Sequence, residues 1–174
     1  MKIITAASLY FQTISRLMSR PGGFFDGIRG ESMIYSVKYL FVSILIFIMA
    51  SMTLIQKNHL SAAGILLINA VLMPFITSTV SLLIIKVIGK KHIPFTNIFS
   101  VNAFASGTTI LISWIPLFLW ISEPWKWTLI VIGYVRACGL DYRRAIATMI
   151  ITIILIVLGF RLFLSVISSV KGSY

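Results

Sequence analysis

IYSVKYLFVSILIFIMASMTLI, Ile34 to Ile55, holds a single charge, Lys38, close to its start. About 20 apolar residues are enough to carry a helix across a bilayer, and this stretch has that length. Further apolar blocks follow at about 60–85, 98–120, 125–137 and 146–167. Of the 174 residues 59% are hydrophobic, and the mean hydropathy is +1.01. A soluble domain sits nearer half apolar, and here the excess is concentrated in the long runs. The reading is an all-α integral membrane protein: one five-helix transmembrane bundle, 34–167, with little chain to spare for a soluble module.

Residues 2–19, KIITAASLYFQTISRLMS, are too polar to span. On a helical wheel Ile3, Ile4, Ala7, Tyr10, Phe11, Ile14, Leu17 and Met18 share an arc of about 140°, with Lys2, Thr5, Ser8, Gln12, Ser15, Arg16 and Ser19 opposite. Only Leu9 breaks the pattern. That predicts an N-terminal amphipathic helix, in the headgroup plane or packed on the bundle. Polar residues interrupt its apolar run and no cleavage site follows, so it does not read as a signal peptide. Arg20-Pro21-Gly22-Gly23 ends it. Phe24 and Phe25, beside Asp26, Arg29 and Glu31, complete an interfacial segment over 1–33.

The second block carries Pro74, which predicts a kink or tilt, and a polar stripe of Asn69, Thr77, Ser78, Thr79 and Ser81. A basic loop with Lys90 and Lys91 leads to Thr96, the expected cap of the third block. That block holds Asn102, Ser106, Thr108, Thr109 and Pro116, and its Ala103 and Gly107 form a small-xxx-small pair that allows close helix approach. Ser122-Glu123-Pro124 is expected to break the helix. Trp114, Trp120, Trp125 and Trp127 cluster there as an aromatic belt. The block that follows, 125–137, is short for a span. Asp141 is the expected cap of the last helix, and 168–174 is a polar tail.

The formal net charge is +11. In a soluble chain this would suggest nucleic acid. Here the cations flank apolar blocks, so membrane orientation and anionic lipid explain them better. With five spans, Lys2, Arg16, Arg20, Arg29, Lys38, Lys86, Lys90, Lys91, Arg136, Arg143 and Arg144 fall on one side. Only Lys57, Lys126, Arg161 and Lys171 fall on the other. The positive-inside rule then predicts a multi-pass cell-membrane protein with its N-terminus cytoplasmic and its C-terminus outside. Arg16, Arg20, Lys90, Lys91, Arg143 and Arg144 are the candidate contacts to anionic headgroups.

Catalytic patterns are lacking. One cysteine, Cys138, allows no intrachain disulfide, and His59 and His92 lie on opposite predicted sides. No zinc-binding His-Glu-x-x-His and no phosphate-binding loop occur. Ser168-x-x-Lys171 lacks the companion elements of a serine acyl-enzyme. No enzyme activity, metal or cofactor is expected. Asn69, Thr77, Ser78, Asn102, Ser106 and Thr109 are the candidate polar path between the second and third blocks. Packing is the alternative role for them, since Ser, Thr and Asn also bond neighbouring helices.

Several short patterns resemble one family. Arg20-Pro21-x-x-Phe24-Phe25 precedes the first span. Ile88-Gly89-Lys90 to Phe95 leads to Phe104-Ala105-Ser106. Trp114-Ile115-Pro116 falls late in the third block. Ile132-Gly133-Tyr134 is followed by Gly139-Leu140 and Arg144-Ala145. In this order, over roughly 20–163, they resemble the Yip domain family of five-span membrane proteins, whose eukaryotic members bind prenylated Rab-type GTPases. The long cytosolic N-terminal region of eukaryotic members and their Tyr-Gly-Pro-type motif are not seen. The resemblance therefore implies a prokaryotic member, and it carries over fold and topology, not a GTPase partner. The implied role is a non-enzymatic protein organising membrane or protein partners. The alternative is a small transporter, channel or lipid-moving protein using the polar path. Expected partners are anionic membrane lipids and either a membrane-associated protein or a second copy of the chain, with no nucleic acid.

Overall fold

Leu, Ile, Val and Phe fill the blocks between polar turns, and where no water competes a backbone must satisfy its own hydrogen bonds, which a helix does. The computed structural model describes residues 2–28, 33–53, 59–89 and 92–171, and these are helical apart from short connections. The helices are α1 (Lys2–Ser19), α2 (Pro21–Gly27), α3 (Met33–Met52), α4 (His59–Ile84), α5 (Phe95–Ile110), α6 (Pro116–Arg136) and α7 (Tyr142–Lys171). A π-helical turn, Ile85–Gly89, extends α4.

Three of these are long and apolar enough to cross a membrane: Met33–Met52, Ala63–Val87 and Tyr142–Ser165. They present Phe41, Ile46, Met49, Ile65, Ile68, Ile154, Leu155 and Phe163 on their outer faces. An apolar belt of that extent suits lipid, not water. The central element is α5, shorter and almost wholly buried, packed against α3, α4 and α6.

Side-chain contacts fix the helix directions. Ser36 bonds Ser100, and Tyr39 bonds Thr108, so α3 and α5 run parallel. Val101 lies against Gly133 of α6, whereas Ser106 and Thr109 share a cavity with Ser122 and Glu123, so α5 and α6 are antiparallel. Ser81 bonds Thr152, and Thr77 lies near Ile156, which sets α7 antiparallel to α4. The five long helices from α3 to α7 thus alternate in direction.

Two close approaches hold the centre. A Cβ on Gly107 would lie 2.9 Å from a Tyr39 ring carbon, and one on Gly133 would run into Val101 Cγ1. The Ala103–Gly107 pair therefore packs inside the chain, with Ala103 in a cluster with Leu40, Ile44 and Phe99.

Helix boundaries differ from the blocks at four places. The expected break at Ser122-Glu123-Pro124 is absent, and Pro124 lies inside α6. The break falls at 111–115, because Pro116 opens α6 and forces Ile115 into an extended conformation (φ −92°, ψ 116°). The short block 125–137 is consequently the second part of a 21-residue helix. Thr96 is not the cap of α5: the cap position is Pro94, and no side chain bonds there. Pro21 opens α2 directly after α1. The tail is helical to Lys171. At the start of α7, the backbone carbonyl of Asp141 accepts from the Ala145 N–H, the first bond of that helix.

Helix α1 makes side-chain contacts with α3. Tyr10 Oη bonds Ser43 Oγ at 2.8 Å, and Thr13 Oγ1 bonds Tyr35 Oη. The later α1 residue meets the earlier α3 residue, so the two helices run antiparallel. Leu17 is fully buried in the main core. Pro21 and Phe25 carry the chain onto α6, with Phe24 edge-on to Phe104 at 4.9 Å.

Candidate functional site

The six residues of the expected polar path separate into two groups. Ser78 and Asn102 are buried. Asn102 Nδ2 lies 3.0 Å from Ser78 Oγ, 3.0 Å from the Ile98 carbonyl and 3.1 Å from Tyr134 Oη. Ser78 Oγ donates to the Pro74 carbonyl. With Ser81–Thr152 alongside, hydroxyls and one amide join α4 to α5 and α6, and α4 to α7. These bonds are interhelical packing. Asn102 Oδ1 is buried with no partner among the described residues.

Asn69, Thr77, Ser106 and Thr109 lie elsewhere. Asn69, Ser106 and Thr109 line a cavity of about 250 Å³ with Met73, Glu123 and Lys126. Thr77 and Ser106 line a second one of similar volume, bounded by Trp127, Ile153 and Val157. Both cavities meet at Met73, Ser106 and an ion pair, Lys126 Nζ–Glu123 Oε1 at 2.6 Å. Lys126 also stands 5.0 Å from the centre of the Trp127 ring. Asn69 and Asn102 do not share either cavity. Glu123 and Lys126 were missed as cavity residues because the sequence reading placed Glu123 in a helix break and Lys126 at the start of the separate block 125–137. Their i,i+3 spacing was the available signal.

The described candidate headgroup residues, Arg16, Arg20, Arg143 and Arg144, lie toward the other end of the bundle, near Arg136. Arg136 ends α6, and its Nη1 lies 3.6 Å from Asp26 Oδ2 on α2. A turn with Gly139 in the left-handed region (φ 63°) follows, and the Leu140 N–H closes it on the Tyr134 carbonyl. Arg143 and Arg144 then open α7 and are exposed. Lys90 and Lys91 lie outside the described residues, as do Arg29 and Glu31.

Arg16 and Arg20 line a cleft of about 710 Å³ between α1, α2 and the start of α3. Leu9, Gln12 and Thr13 form its α1 wall. Gly23, Phe24, Gly27 and Ile28 form the α2 side, and Tyr35 closes it. Neither arginine has a carboxylate partner among the described residues. Burial pushes the nearby Tyr10 hydroxyl above its ordinary pKa, with the Ser43 bond acting in the opposite sense, so it stays a neutral donor. Gly23, Gly27 and Tyr35 had no signal in the sequence, since their role depends on how α2 folds back.

No cluster of His, Cys, Asp and Glu suited to a metal occurs among the described residues. Nor do any of them form a nucleophile–base arrangement. The chain is a membrane protein by its apolar helices, and what it offers chemically is a basic end with a lined cleft and an interior stitched by hydroxyls.

No curated protein and no solved structure matches the chain. A family model described as the Yip1 domain matches residues 15–163, from the last turns of α1 to within α7. That span includes α2 to α6 entire, and with them the central helix, the cleft's α2 wall and the basic end. The chain belongs to the Yip1 domain family.

Proposed function

We propose that this chain is a non-enzymatic, five-span protein of the cell membrane that organises membrane or protein partners from a cytoplasmic basic end. The observation that carries this reading is the asymmetry of the bundle. Arg16, Arg20, Arg136, Arg143 and Arg144 gather at one end, beside the cleft of α1, α2 and α3. Positive-inside orientation puts that end, where α1 finishes and α3 begins, in the cytoplasm and the C-terminus outside. The alternating directions of α3 to α7 support five crossings, with α5 enclosed by α3, α4 and α6. Asn102 and Ser78 bond across helices, which supports a packing role for these two over a transport path.

The test is affinity purification of the full chain from native membranes, followed by mass spectrometry of proteins and lipids, for wild type and for R143Q/R144Q. The reading expects reproducible partners from wild type and their reduction by several-fold in the variant. Identical recovery from both would contradict it.

A further inference from the structure

We propose that the cleft between α1, α2 and α3 holds one acidic phospholipid, its phosphate between Arg16 and Arg20 and one acyl chain along Phe24, Ile28 and Leu9. The proposal rests on the orientation given above, which sets the basic end at the cytoplasmic headgroup level.

Polarity along the cleft matches depth in the membrane. Thr13 stands level with Tyr35, near the start of α3, whereas Tyr10 stands level with Ser43, about two turns further in. The Arg16 and Arg20 end therefore lies at the headgroup level, and the Leu9 end lies deeper, toward the acyl chains. Two guanidinium groups four residues apart in sequence offer a planar, bidentate match to phosphate oxygens. The described carboxylates nearest in the fold do not compete: Asp26 faces Arg136. A cleft of about 710 Å³ falls in the usual range for ligand sites, about 300–1,000 Å³.

The α2 wall provides an independent observation. A Cβ placed on Gly23 or Gly27 meets nothing within 4 Å, so a longer side chain at either position has free space to enter, and both positions line the cleft. Glycine weakens a helix, and α2 (PGGFFDG) has three in seven residues. A helix that only had to dock on α6 would gain from larger residues there.

The test uses the full chain in a neutral detergent, read by native mass spectrometry against phosphatidylglycerol and phosphatidylcholine with identical acyl chains. Wild type should retain one phosphatidylglycerol in preference to phosphatidylcholine. R16Q/R20Q should weaken that binding about tenfold or more, the scale of lost charge-assisted hydrogen bonds. G23L should weaken it comparably with every charge in place, and G27L serves if G23L does not fold as wild type by circular dichroism. K38Q/R161Q removes the same formal charge outside the cleft and should change binding less than twofold. Equal loss in K38Q/R161Q would reduce the effect to overall charge and overturn the site. So would full binding in a folded G23L or G27L, no preference for phosphatidylglycerol, or displacement of the lipid by equimolar inorganic phosphate. Such a failure with partner recovery still dependent on Arg143 and Arg144 would leave the organising role standing.

Discussion

At the scale of single residues, contact distances decide which positions tolerate change. Gly133 sits where α6 presses on Val101 of α5, with space for hydrogen alone. Gly133→Ala should therefore destabilise the protein by about 1–3 kcal/mol, the usual cost of overpacking, as read by thermal or chemical unfolding in detergent. Adding Val101→Ala should recover part of the loss, because the second change removes the atoms the new methyl meets. Equal and additive losses would show that the contact is not the cause. The sequence made Gly107 legible through its spacing to Ala103, but not its partner, Tyr39. Asn102 was legible as a polar residue at membrane depth. Whether it lined a path or tied helices together depended on Ser78 and Tyr134, which reach it from α4 and α6.

At the scale of elements, α1 is the informative case. Its amphipathic pattern was clear, but that pattern suits a helix lying at the interface as well as one seated on the bundle. Tyr10, Thr13 and Leu17 settle its place, through two hydroxyl bonds to α3 and a fully buried leucine. Leu17→Ala should cost about 2–4 kcal/mol, as for other buried leucines, measured by the unfolding midpoint. A change within a few tenths would mean that α1 is only loosely attached. The α5–α6 connection shows where pattern reading fails. Two prolines lie eight residues apart, and either one can stop a helix. Pro116 does so, with extended Ile115 before it, whereas Pro124 is carried inside α6. Local sequence does not distinguish them, because the difference lies in how α6 packs back along α5.

At the scale of the whole molecule, the long apolar blocks and the uneven cations made the fold class and the basic end legible. The cleft was not, since it exists only once α1 and α2 fold back on α3 and leave two glycines facing open space. Orientation governs everything proposed for that end: a basic surface can gather cytoplasmic partners and acidic lipid only if it faces the cytoplasm.

The most direct measurement is two-sided cysteine labelling in intact cells, using chains that carry Ser15→Cys or Ser168→Cys in a background where the buried Cys138 is replaced by alanine. Both serines are exposed, Ser15 on α1 and Ser168 near the end of α7. The account predicts that a membrane-impermeant maleimide labels the cysteine at 168 in intact cells, and the one at 15 only after the membrane is opened. Labelling of position 15 from outside, or of both positions from one side, would contradict it.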